Sequence, residues 1–185
     1  MVGVLNFLSL EVFYIMTGKQ KDALEKILSA LPNDCRDAFR EVAEHAISLG
    51  YMPVTRGANA TYADFVKSKI KRTILKIDLN PIPPRLGMKF YAIPEYSGVF
   101  GKAIEERVKY CSKLNYEITA HCVGCMHSES GKCKRAQGYT FKFPDGKQGF
   151  LCGFCVISLP SFTAENVAEV KQALTLQDDY FMKQI

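Results

Sequence analysis

The chain has no tryptophan, only three histidines, and no stretch of repeated or low-complexity sequence. The last of these excludes a chain disordered by composition. No glycine-rich phosphate loop, dinucleotide fingerprint, Gly-x-Ser-x-Gly elbow or metalloprotease helix motif occurs, so the common nucleotide-binding and hydrolase signatures are missing. The apolar opening, MVGVLNFLSLEVFYIM, lacks a basic start and a small-residue cleavage site. Glu11 interrupts it, and it is too short to cross a bilayer as a helix. The reading is therefore no membrane, a cytoplasmic location, and residues 1–18 as an N-terminal extension. The net charge of +5 gives weak attraction to polyanions without the charge density of a dedicated nucleic-acid binder.

What is abundant is cysteine, and its placement. Five of the seven cysteines lie between His121 and Cys155, spaced C-x2-C-x7-C-x18-C-x2-C. Zn²⁺ takes four tetrahedral donors, and a two-residue spacer lets one tight turn supply two thiolates. Cys122, Cys125 and Cys133 have the first claim as ligands. The fourth is Cys152 or Cys155, with Cys152 preferred, and His121 and His127 are reserve ligands. Gly124 and Gly153 sit inside the two short loops, where the backbone must turn or approach the metal closely. Phe143-Pro-Asp-Gly146 is a turn signal, and alternating Tyr139, Phe141, Phe143 and Phe150 read as hairpin arms that fold Cys152 back toward Cys133. Reduced structural thiols or disulfides are the competing readings. An iron–sulfur cluster uses other spacings. A redox pair needs a strand-to-helix setting that neither C-x2-C has.

At 185 residues, 48% of them apolar, the chain fits one domain over 1–185, with a cysteine-rich lobe over 116–160. The spacing predicts a helix over 19–31 with Ala23, Leu24, Ile27, Leu28 and Leu31 inward, closed by Pro32. A second helix is expected after Asn33 as N-cap, with Cys35, Ala38, Phe39, Val42, Ala46 and Leu49 as its stripe and Gly50 as its stop. His45 lies off the stripe and reads as solvated. Four strands follow in YMPVTRG, TYADFVKS, KRTILKIDL and GMKFYAI, which suggests an antiparallel meander. In the third, Thr73, Leu75, Ile77 and Leu79 form the buried side. A third helix is predicted over 95–114, with Val99, Ala103, Ile104, Val108 and Cys111 inward. A last one starts near Pro160 and Thr163, with Val167, Val170, Leu174 and Phe181 inward. The expected class is α+β: an antiparallel sheet against helices, with a metal-stapled hairpin lobe near the C-terminus.

Two basic clusters stand out: Lys67, Lys69, Lys71, Arg72 and Lys76, and then Lys132, Lys134, Arg135, Lys142 and Lys147. Phosphate binding uses such clusters. Solvated sheet edges also carry lysines, to discourage pairing with other chains, and that reading is preferred here. No pair of carboxylates is recognisable as a general acid and base.

The segments LGYMPV, FVKSKIKRTILKI, MKFYAIPEYSGVF, CVGC and GYTFKFPDGK followed by a cysteine resemble, in their order, a family of small uncharacterised bacterial proteins. The chain is also weakly similar to YdhG-like α+β domains. The resemblance implies the fold, the cysteine loop and the lesser importance of Cys155, and carries no activity. The expected function is a zinc-stabilised cytosolic module that binds a small molecule or a protein partner on an open sheet face, with the zinc structural. The alternatives are a nucleic-acid-associated protein and a metal- or thiol-dependent enzyme.

Overall fold

Helix α1 (Gly18–Leu28) begins where Thr17 and Gln20 cap each other. Thr17 N–H donates to Gln20 Oε1 at 2.8 Å, and Gln20 N–H donates back to Thr17 Oγ1 at 3.3 Å. These coordinates, a computed structural model, describe residues 16–56, 61–79, 83–89, 98–112, 139–142, 146, 148–151, 156–159 and 162–185. Leu24, Ile27 and Leu28 are buried as the periodicity requires. The helix stops at Leu28, and Leu31 packs into the core from the turn before Pro32. Helix α2 (Asn33–Ser48) includes Asn33, and Pro32 takes the cap position with no side-chain bond. Its buried face is Ala38, Phe39, Val42, Ala43, Ala46 and Ile47, while Cys35 and Leu49 are only partly covered. Arg40 pairs with Glu25 across the α1–α2 junction at 2.6 Å on the exposed side.

The strands are β1 (Met52–Arg56), β2 (Tyr62–Lys67), β3 (Arg72–Asp78), β4 (Arg85–Met88), β5 (Tyr139–Lys142), β6 (Gln148–Leu151) and β7 (Ile157–Leu159). The first four form the expected meander, and β7 adds antiparallel beyond β4, giving the order β1-β2-β3-β4-β7. Strand β4 starts two residues earlier than its apolar pattern suggests, directly after buried Pro84. Strands β5 and β6 form a separate two-stranded sheet whose register pairs Tyr139 with Leu151. Gly146, in its turn, has φ +84°, a conformation that favours glycine.

Residues paired across antiparallel strands share a face. Two rows on one face are apolar: Pro53–Phe65–Leu75–Met88–Ile157, and Thr55–Ala63–Ile77–Leu86–Leu159. All of these are buried except Thr55, which is partly covered. The opposite face carries Val54–Asp64–Lys76–Gly87–Ser158 and Arg56–Tyr62–Asp78–Arg85. There, opposite charges sit directly across from one another at Asp64/Lys76 and Asp78/Arg85. Thus one side is packed and the other polar, as befits an antiparallel sheet. The pairing shifts between Phe65 and Val66, which leaves Ile74 unmatched and buried beside Leu75. That shift explains why Thr73, expected inward, is only half-buried. At Gly87 a Cβ would lie 2.6 Å from Val156 Cγ1, so the strand passes closer than a side chain permits.

Helix α1 lies against β1 and α2, and α2 packs on the last helix, α4 (Val167–Met182), which also touches β3. Helix α3 (Gly98–Ser112) rests on β6 and β7, and buries Phe100 and Ile104, with Ala103 packed alongside. A short 3-10 turn (Ala164–Asn166), capped by Thr163, leads into α4. The described elements are therefore those of an α+β fold with a five-stranded antiparallel sheet.

Candidate functional site

The buried polar cluster of the fold is assembled by the end of α2. Gly50 adopts φ +89°, its N–H bonds Ile47 O at 2.8 Å, and Tyr51 N–H bonds Ala46 O at 3.1 Å. This paired closure of the helix end requires a left-handed residue, which glycine supplies without strain. It delivers Tyr51, fully buried, to the edge of the sheet's apolar face. The Lys67 stem crosses the same glycine, with Cε 3.4 Å from where a Cβ would stand. From α4 comes Asp178. Tyr51 OH donates to its Oδ1 at 2.9 Å, and Lys67 Nζ donates to Oδ1 at 2.8 Å and Oδ2 at 3.1 Å. The Lys67 ammonium also lies 5.2 Å from the Tyr51 ring centroid.

Burial, and then the bond to Asp178 with its negative charge, push the Tyr51 phenol well above its usual range. The phenol therefore keeps its proton at any physiological pH. The carboxylate already accepts three hydrogen bonds, and its charge is matched by Lys67. Such a closed set holds elements together and does not transfer protons. It ties the C-terminal helix to the first two strands.

His45 departs from the solvated reading. It is half-buried between α2 and α4, with Nε2 2.9 Å from Thr175 Oγ1. Thr175 Oγ1 in turn donates to Lys171 O at 3.1 Å, which joins the ring to the α4 backbone through one hydroxyl. Burial first, and the Lys171 charge second, lower the His45 pKa from 6.5. The unfolded chain therefore binds this proton more readily than the folded one. Stability is full above about pH 6.5 and declines as pH falls below it, with a slope of at most about 1.4 kcal/mol per pH unit. Urea titrations from pH 7.5 to about 5 read this slope. The His45→Gln chain is expected to lose the component that the histidine contributes, and an unchanged slope would remove the assignment.

The first basic cluster is not on a sheet edge. Strands β2 and β3 are interior, so the edge-protection reading is overturned by the strand order. Lys67 is committed to Asp178, and Lys76 Nζ stands 4.0 Å from the Tyr62 ring centroid, across from Asp64. Lys69, Lys71 and Arg72 are exposed on the β2–β3 turn. In the second cluster, Lys132, Lys134, Arg135 and Lys147 lie outside the described residues, and Lys142 is in β5.

The expected metal ligands Cys122, Cys125, Cys133, Cys152 and Cys155 lie outside the described residues, as do His121 and His127. Among the described residues, no group of three or more His, Cys, Asp or Glu could hold a metal ion. Cys35 Sγ is 3.5 Å from Pro32 O, and burial raises its pKa, which is the setting of an unreactive thiol. Cys111 falls in the last turn of α3. No described helix is long and apolar enough to cross a membrane. No known family model matches the chain, and neither a curated protein nor a solved structure does.

Proposed function

We propose that this chain is a cytosolic binding module whose C-terminal lobe is closed by one structural Zn²⁺. Four thiolates from Cys122, Cys125, Cys133, Cys152 and Cys155 would hold it, the last two competing for the fourth place. The observation that carries this reading is the β5–β6 hairpin, whose register sets Tyr139 beside Leu151. Cys152 follows Leu151 directly in the sequence and Cys133 precedes Tyr139 by six residues, which supports one site shared by the two cysteine groups. The donor set fits the ion, since clustered thiolates suit zinc in a reducing compartment. The polar sheet face, with Val54 38% exposed at its β1 edge, is the surface offered to a small molecule or protein partner. The likeness to small bacterial proteins belongs to the same proposal.

Metal analysis of the purified full chain tests it. One zinc per chain is expected, together with loss of metal in four single Cys→Ser variants and indifference in the fifth. Removing the metal with a chelator is expected to abolish the near-ultraviolet dichroism of the lobe's Tyr139, Phe141 and Phe150 while the main sheet's strand signal stays. A metal-free chain with an intact hairpin signal would end the zinc reading.

A further inference from the structure

We infer that the β2–β3 turn is a docking point for the phosphate backbone of duplex nucleic acid, read without regard to base sequence. The turn presents Lys69, Lys71 and Arg72, all exposed, within four consecutive positions. Among the described residues no carboxylate forms an ion pair with any of the three. The acids of these strands, Asp64 and Asp78, sit on the polar face, where the register sets them across from Lys76 and Arg85. Because β2 and β3 are interior strands, keeping other strands away does not account for the charge.

The turn is also held in place. Ile70 points back against the core, Lys67 at its base is locked to Asp178, and Ile70 and Lys71 N–H both bond Lys67 O, at 3.2 and 2.8 Å. Lys71 has φ +50°, a left-handed conformation that glycine or asparagine adopts at lower cost. The chain thus places a cation where glycine would be more favourable. Backbone strain of this kind collects at functional positions. A fixed trio of cations matches phosphates, whose contacts position a protein and carry no sequence information. Two features select duplex nucleic acid among polyanions. Ile70, the apolar residue of the turn, faces inward, so no side chain is available to insert into a bilayer. The turn also has no aromatic residue on which unpaired bases would stack.

Fluorescence anisotropy of the full chain with a labelled duplex of about 20 base pairs tests this, at a Kd of about 10⁻⁴ to 10⁻⁶ M. With three phosphates neutralised, affinity is expected to fall about 40-fold between about 50 and 200 mM salt. The variant Lys69→Ala/Lys71→Gly/Arg72→Ala is expected to lose the binding. Lys19→Ala/Lys21→Ala/Lys26→Ala removes the same charge from α1, where these lysines are exposed, and is expected to keep it. Lys71→Gly alone is expected to raise the urea midpoint, which separates lost binding from lost folding. Three results overturn the inference: equal binding by the turn variant, equal loss in the α1 variant, or turn-dependent retention on phosphatidylserine vesicles with none on the duplex.

Discussion

Asp178→Ala is expected to cost about 3–5 kcal/mol of folding stability, read as a lower urea midpoint at unchanged m. The side chains of Lys67 and Asp178 are only 17% and 11% exposed. Removing the carboxylate leaves an ammonium in a site with little water and a phenol with no acceptor. The Tyr51 hydroxyl alone contributes about 1–3 kcal/mol of that loss when left unsatisfied. Asp178→Asn keeps an acceptor for Tyr51 but leaves Lys67 unmatched, and should fall between wild type and alanine. The decisive comparison is the double variant Lys67→Met/Asp178→Leu, in which no charge is buried. It is expected to recover most of the loss, because an apolar pair of similar volume is often neutral or better. A single-variant cost below about 1 kcal/mol would mean that water already reaches the pair and that the latch does not hold α4 to the strands.

That latch leaves no signature along the chain, and the reason is distance. Tyr51 and Lys67 are separated from Asp178 by 127 and 111 residues. Gln177-Asp-Asp179 looks like a wet helix surface by local pattern, yet Gln177 and Asp178 are buried. A charge is buried because its partner arrives from another element, and periodicity has no information about that partner. The same holds for His45, whose threonine lies 130 residues away. Local features fared better. The α2 stripe of Ala38, Phe39, Val42 and Ala46 is buried, and Gly50 is left-handed at the expected stop. Alternation in β3 placed Leu75 and Ile77 inward but could not foresee the shift that brings Ile74 with them. Strand β7 has only three residues, too few to show a period. Its addition beyond β4 fixes the strand order. The meander β1-β2-β3-β4 by itself already sets β2 and β3 inside the sheet, so the edge reading of the lysine cluster rests on composition and not on strand order.

The second large effect is expected at Phe39, where a legible residue meets an illegible one. Phe39 sits on the predicted α2 stripe and is buried, but its aromatic partner Phe162 lies in the segment before α4, where no periodicity marks it. Their ring centroids are 5.0 Å apart at 77°, an edge-to-face contact. Phe39→Ala empties a site enclosed by the core and is expected to cost about 3–5 kcal/mol. Phe39→Leu keeps most of the apolar contact and should lose much less. A double-mutant cycle of Phe39→Leu with Phe162→Leu isolates the ring geometry, with a coupling of about 0.5–1.5 kcal/mol expected. Zero coupling would assign the whole effect to buried area. A measurable coupling means that the chain is clamped just ahead of Thr163, so that α4 starts where Asp178 can reach Lys67. Stability lost at Phe39 and at Asp178 should then be less than additive, since both contacts hold the same helix to the same core.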